Sequence, residues 1–155
     1  MLEQWSCFAI INIHNPHATG SREFPVYKKI RKRDSVGKFQ FPGGSNGNGD
    51  TDPMMTLKST VRSQTGIDLN RLNTITLVHS KNELIRNIHT GGKATKIMKS
   101  VRYYQVRIDI DSFIDRTGFE LSKDESMRWV QAEWIFNHED FSEEDKSALH
   151  LCLNS

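Results

Sequence analysis

The side chains of this chain that could do chemistry are mainly cations. From Lys28 to Lys38 six of eleven residues are basic (Lys28, Lys29, Arg31, Lys32, Arg33 and Lys38), and Lys93, Lys96, Lys99 and Arg102 form a second basic stretch. Clustered positive charge attracts phosphate, whether on a nucleotide or along RNA, although each residue alone also suits a solvated strand face. Glu139, Asp140, Glu143, Glu144 and Asp145 balance the cations near the other end, leaving a net charge of only +2. Thr90-Gly91-Gly92-Lys93 has the glycines to cradle an anion but lacks the P-loop pattern, and reads as a hairpin turn between strands. His14-x-x-His17 has the spacing of a metal pair but sits in an Asn15-Pro16 turn with no acid or cysteine beside it, so no metal is expected there. There is no Gly-x-Ser-x-Gly, and Cys7 and Cys152, at opposite ends, form neither a disulfide framework nor a CxxC site. Both are expected to be small buried hydrophobes.

The elements that must position these groups are set by local pattern. Trp5 to Ile13 is apolar and strand-forming up to Asn15-Pro16. Phe24 to Arg33 alternates, with Val26 and Ile30 on one face and Tyr27, Lys29, Arg31 and Arg33 on the other. Lys38 to Phe41 runs as a short strand into Pro42-Gly43-Gly44, and the next six residues, SNGNGD, are expected to be irregular. Asp52-Pro53 is a helix start, with Asp52 capping and Pro53 needing no donor at the first position. Met54, Leu57 and Val61 then face a core, and Gly66 ends the helix. Thr74–His79, Leu84–His89, Val101–Ile110 and Met127–Val130 follow as strands. Ser142, three residues before Asp145, caps a last helix through Leu153, with Ala148, Leu149 and Cys152 on its apolar side.

A chain of 155 residues, 36% of them hydrophobic and with 10 Gly and 4 Pro, can bury one core, which excludes collagen-like, low-complexity and wholly disordered classes. The apolar run Cys7–Ile11 is too short to span a membrane, and Glu3 stands where a signal peptide needs a basic residue. A cytoplasmic protein without membrane association is expected. The pattern of strands around two helices predicts one mixed α+β domain over residues 1–155.

The segment from Gly37 to Leu69, GKFQFPGGSNGNGDTDPMMTLKSTVRSQTGIDL, resembles the central loop, helix and loop of the Nudix superfamily. That box reads Gly, five residues, Glu, seven residues, then Arg-Glu-apolar-x-Glu-Glu-x-Gly-apolar. Phe41-Pro42-Gly43-Gly44 and Thr65-Gly66-Ile67 match it, and Val61 takes the apolar place. Glu125-x-x-x-Trp129-Val130 and the final helix fall in the family's order. The resemblance implies a Nudix-like α/β/α sandwich with a mixed β-sheet. It also marks departures. Aligned back from Gly66, the Arg-Glu pair falls on Ser59 and Thr60 and the Glu-Glu pair on Ser63 and Gln64. The stretch from Gly44 to Gly66 is one residue longer than the family spacing, so the early Glu lands on Asp50 or Thr51.

In that family the helix glutamates, at i, i+3 and i+4, hold Mg²⁺, which needs hard anionic oxygens. Neutral Thr60, Ser63 and Gln64 are poor substitutes. No cofactor is therefore expected, and Mg²⁺ or Mn²⁺ belongs only to an alternative in which displaced acids such as Asp50, Glu83 or Glu125 restore a pyrophosphohydrolase. Glu125 is the candidate catalytic acid of that alternative, with Asp124 and Glu83 as substitutes. The cleft implied by the resemblance still has aromatics, Trp5, Phe39, Tyr103 and Tyr104, and nearby cations; Arg31, Arg33, Phe39 and Tyr103 are its expected ligand contacts. The leading expectation is a domain with a degenerate Nudix box that binds a nucleotide or nucleoside diphosphate derivative in a regulatory or accessory role, without ordinary hydrolysis. A third reading is an RNA- or protein-bound component of an assembly. The sequence specifies no oligomeric state.

Overall fold

A computed structural model describes residues 2–14, 23–29, 37–46, 52–71, 74–90, 93–109 and 127–154. Strands β1 (Leu2–His14), β2 (Glu23–Lys29), β3 (Lys38–Gln40) and β4 (Gly43–Ser45) precede helix α1 (Pro53–Thr65) and a short 3-10 turn, Leu69–Arg71. Strands β5 (Ile75–Thr90), β6 (Lys93–Asp109) and β7 (Met127–Gln131) lead to helices α2 (Ala132–Phe136) and α3 (Glu143–Leu153). The four-stranded sheet, ordered β4-β1-β6-β5, is mixed: β1 and β6 run parallel through thirteen paired positions, and the other neighbours are antiparallel. A separate antiparallel sheet, ordered β3-β2-β7, was not expected from sequence.

The alternation of β1 places two cores on the two faces of the larger sheet. Cys7, Ala9 and Ile11 pack with Tyr104 and Val106 against Leu57 and Val61 of α1 and against Ile67 and Leu69. On the other face, Ile10 and Tyr103 meet Phe24, Val26 and Val130 of the smaller sheet, and Ile135, Phe141, Leu149 and Cys152 of the closing helices. Helix, sheets and helices therefore stack as an α+β sandwich, with each fully buried aliphatic side chain contributing about 1.5–3 kcal/mol. Both cysteines are free and buried, and burial pushes each thiol up to about 11.

Helix α1 starts and stops for the expected reasons. Asp52 accepts from the Met55 N–H at 2.8 Å, Pro53 occupies the first turn, and Gly66 closes the helix at φ 78°, in the left-handed region. In α3 the Ser142 hydroxyl accepts from the Asp145 N–H while the Asp145 carboxylate accepts from the Ser142 N–H, a reciprocal capping box.

Three expectations change. The segments Thr74–His79 and Leu84–His89 are one strand, β5, because the polar stretch between them is an edge strand. Lys81 pairs there with Glu83 at 3.1 Å and Glu144 at 3.3 Å, and register shifts between Leu77 and His79 and between Leu84 and Arg86 absorb the irregularity. Gly43, Gly44 and Ser45 are not loop but β4, paired antiparallel with Ser6–Phe8, and Gly43 lies so close to β1 that no side chain fits there. A five-residue helix, α2, also lies between β7 and the last helix, with no side-chain cap to announce it. Thr90 pairs with Lys93 as a hairpin requires. His17, Arg31, Arg33, Asp50, Asp124 and Glu125 lie outside the described residues.

Candidate functional site

Strand β4 and α1 build the part of the molecule that the box resemblance marks. Gly43 lies so close to β1 that a Cβ added there would fall 1.9 Å from the Cys7 carbonyl oxygen, and its φ of 150° disfavours any side chain. Gly44 faces Thr60, whose methyl lies 3.0 Å from the position of an added Cβ. The Gly43 N–H donates to Gln64 Oε1 at 2.9 Å, and Gln64 Nε2 donates back to the Gly43 carbonyl at 2.8 Å. Both ends of one carboxamide are thus committed to the two backbone polar groups of one residue. A carboxylate, which only accepts, cannot make this pair of bonds.

The neighbouring box positions are similarly committed. The Thr60 hydroxyl donates back to Thr56 O at 2.7 Å, with Leu57 O at 3.2 Å, and Ser59 Oγ donates to Thr56 O at 3.2 Å. Ser63 is exposed. Trp5 stands beside them: its indole N–H donates to Thr56 Oγ1 at 2.9 Å, and its ring packs on the α1 core. An open groove of about 690 Å³ follows the exposed side of α1, with Asp52, Lys58, Ser59, Arg62, Ser63 and Asp68 in its walls. Its two acids are engaged, Asp52 by capping Met55 and Asp68 by accepting from the Asn70 N–H.

A divalent cation is what the fold family places beside this helix, and the donor set does not suit one. Mg²⁺ requires hard, mostly anionic oxygens. The described box positions offer neutral oxygens, those of Ser59, Thr60 and Gln64 already hydrogen-bonded within the protein and that of Ser63 exposed, and Lys58 and Arg62 stand in the same groove. Among the described residues no three His, Cys, Asp or Glu side chains converge as metal ligands do. Glu83 is tied to Lys81 on β5.

The expected aromatic contacts separate. Tyr103 is 2% exposed; its ring stacks on Phe8 at 5.6 Å and its hydroxyl donates to Asp145 at 2.5 Å, so both are already used inside the fold. Burial, with the Asp145 charge behind it, raises the Tyr103 phenol. Tyr104 is likewise in the α1 core. Phe39 remains half-exposed at the other sheet, edge-on to Trp134 at 5.2 Å and to His138 at 5.8 Å. Lys28 and Arg128 each lie 5.5 Å from the Phe39 ring centre, and Arg128 also lies 6.0 Å from that of Trp134. A notch of about 650 Å³ opens here, walled by Arg128, Trp129, Gln131, Glu133, Trp134 and His138 among others. Sequence reasoning missed Arg128, Trp134 and His138; the aromatics crowded into the last third of the chain were a signal that could have pointed there.

No protein-family model matches the sequence, and no curated protein matches it. Solved structures match it end to end. The crystal structure of C. elegans Ap4A hydrolase shares 16% identity at a TM-score of 0.61, over 99% of this chain and 98% of that one. The Nudix domain of Shewanella oneidensis NrtR, solved with ADP ribose, shares 6% identity at a TM-score of 0.60, over 97% and 86%. The C-terminal domain of mouse MUTYH, solved in complex with human PCNA, shares 15% identity at 0.58, over 97% and 88%. The chain has the Nudix fold. No helix among the described residues is long and apolar enough to cross a membrane.

Proposed function

We propose that this Nudix-fold chain binds a nucleotide or nucleoside diphosphate derivative and does not hydrolyse it by the metal-dependent route. The observation that carries this reading is the Gln64 carboxamide, bonded to both polar groups of Gly43 where the resembled box has a glutamate. Thr60 and Ser59, bonded back to the helix, agree with it, and α1 holds no acid at all. With Asp52 and Asp68 engaged, Lys58 and Arg62 favour ligand oxygens over a divalent cation in the groove. A fold shared with a domain solved with ADP ribose supports the ligand class. Phe39 packs on the opposite face of the larger sheet and does not line this groove, so the ligand contacts proposed for it here are the cations of α1, with Arg31 and Arg33 as further candidates.

The test offers ADP ribose, ADP and a dinucleoside polyphosphate to the purified protein, with and without Mg²⁺ or Mn²⁺, and follows both phosphate release and thermal unfolding. A rise in Tm that survives chelator, with no release, is the expected result. Metal-dependent release abolished by chelator would overturn it in favour of a hydrolase with displaced acids. If no compound shifts Tm, nucleotide binding itself is wrong.

A further inference from the structure

The second site on the page lies across the larger sheet from α1. We infer that the notch between β7 and α2 is a binding site for a phosphate-type oxyanion, held by Arg128 from the notch wall, with Lys28 beyond that wall on the neighbouring Phe39 ring as a second cation. It does not depend on the α1 groove, because Phe39 and Trp134 pack on the core of the opposite sheet face.

Charge is the first ground. Lys28 and Arg128 share one aromatic ring, each 5.5 Å from its centre, so their charges are separated by no more than twice that distance. The fold brings them together from two strands, β2 and β7, and none of the ion pairs among the described residues takes in Lys28 or Arg128: they join His79 and Lys81 to Glu144, Lys81 to Glu83, and, at the notch itself, His138 to Asp140. Two like charges at that range repel only weakly through water, and both attract an anion placed near them. Asp140, which is bonded to Phe39, has its carboxylate accepting from the Phe39 N–H at 2.9 Å and lies 3.7 Å from His138 Nδ1, which leaves it supporting the ring.

Geometry is the second ground. The Arg128 guanidinium is braced by two rings, Phe39 and Trp134, which limits its rotamers before any ligand arrives. A guanidinium steadied this way binds an oxyanion through its fixed fork of N–H groups with less ordering cost than a free side chain. The notch, about 650 Å³, falls in the range of small-ligand sites, and Asn137 and His138 add polar groups to its wall. His138 Nδ1 accepts from the Asp140 N–H, so a neutral imidazole carries its proton on Nε2 as a donor. Glu133 opposes an anion from the same wall, but it is exposed and its charge is screened by water.

Two-dimensional NMR of the three tryptophan indole N–H groups reads the site directly. Titration with inorganic pyrophosphate at low salt is expected to shift the indole signals of Trp129 and Trp134 saturably and leave that of Trp5 in place. The midpoint should rise at least tenfold in Arg128→Gln, severalfold in Lys28→Gln, and fall in Glu133→Gln. Lys58→Gln, on α1, should leave it unchanged. ADP and adenosine in parallel separate the sources of the phosphate: ADP acting like pyrophosphate assigns the site to the phosphate alone, and ADP acting at lower concentration adds the base, while adenosine acting alone would overturn the proposal. The same midpoint in Arg128→Gln as in the unsubstituted chain, with a well-dispersed spectrum, or no movement of Trp129 and Trp134, would equally overturn it.

Discussion

On the α1 side of the larger sheet, polar groups satisfy one another; at the notch on the other side they do not. Gln64 closes on Gly43, Thr60 and Ser59 bond back to their own helix, and the Trp5 indole donates to Thr56. Across the sheet, Lys28 and Arg128 face an aromatic ring instead of an acid, and the Trp129 indole N–H is buried with no acceptor among the described residues. Internal pairing is what stabilises a fold, and unmet charge and hydrogen-bonding capacity is what a ligand can satisfy. The difference therefore assigns the box face a structural duty and leaves binding capacity in the α1 groove and in the notch.

Gly43→Ala is the hardest blow to the satisfied side. Its Cβ would meet the backbone oxygen of Cys7 at 1.9 Å, and backbone cannot rotate away as a side chain can. A loss of about 3 kcal/mol or more is expected, measured by urea unfolding, or failure to fold. A near-neutral result would show that β4 moves freely against β1 and that the box face is not a structural clamp.

Gln64 comes next. Gln64→Ala removes two bonds, taking the Gly43 N–H acceptor away and leaving the Gly43 carbonyl only the long bond from Gln40 Nε2 at 3.4 Å, at a cost of about 2 kcal/mol. Gln64→Glu keeps an acceptor for the N–H but sets an ionised oxygen against the Gly43 carbonyl. That repulsion raises the introduced carboxyl, so the variant should regain stability as the pH falls and the carboxyl, once protonated, donates to the carbonyl again. A unit-slope rescue toward low pH, absent in Gln64→Ala, distinguishes a clamp from mere filling of space. If Gln64→Glu were as stable as the unsubstituted chain at pH 7 and bound Mg²⁺, the face would be a metal site awaiting one acid.

Much of this architecture was legible in single residues. Asp52, Pro53 and Gly66 set the limits of α1 because caps act within a few residues, and Ser142 with Asp145 did the same for α3. The absence of carboxylates from α1 was also plain. What sequence could not show was tertiary. Gln64 and Gly43 are 21 residues apart, and nothing local says that an amide will fold onto that glycine. The run Ser80–Glu83 reads as a loop because its polarity belongs to a sheet edge whose partners, Glu144 above all, are on α3. Tyr103 looked like a ligand contact because aromatic, strand-borne residues serve equally as core, and only its burial decides.

The same substitution on both sides sharpens the contrast at about 1 kcal/mol. Trp5→Phe loses the bond to Thr56, whereas Trp129→Phe loses a buried donor that has no acceptor. Each removes a comparable volume, so Trp5→Phe should be the more destabilising by about that amount. Equal costs would mean that the Trp129 indole is satisfied after all, and the notch would lose part of its distinction.

The junction of α3 with β5 supplies the third case, polar groups paired but at the surface. Glu144 Oε2 meets His79 Nε2 at 2.5 Å and Lys81 reaches the other oxygen, while Tyr103 and Asp145 close the contact behind them. The hydrogen bond from His79, with Lys81 in support, holds the Glu144 carboxyl below its ordinary value of 4.5. A carboxyl depressed in the folded state contributes stability that is whole above its unfolded value and is lost as the pH falls through the folded one. At 39% side-chain exposure water screens most of it, so the contribution should stay below about 1 kcal/mol. Urea unfolding of the unsubstituted chain and of Glu144→Gln should differ slightly at pH 7 and converge as the pH falls below the ordinary carboxyl range and through the folded value. A gap that persisted at low pH would show that Glu144 acts through packing rather than charge. A gap rivalling that of Gln64→Ala would show that pairing at the surface counts as much as pairing in the interior, and the comparison between the two sides of the sheet would then rest on exposure no longer.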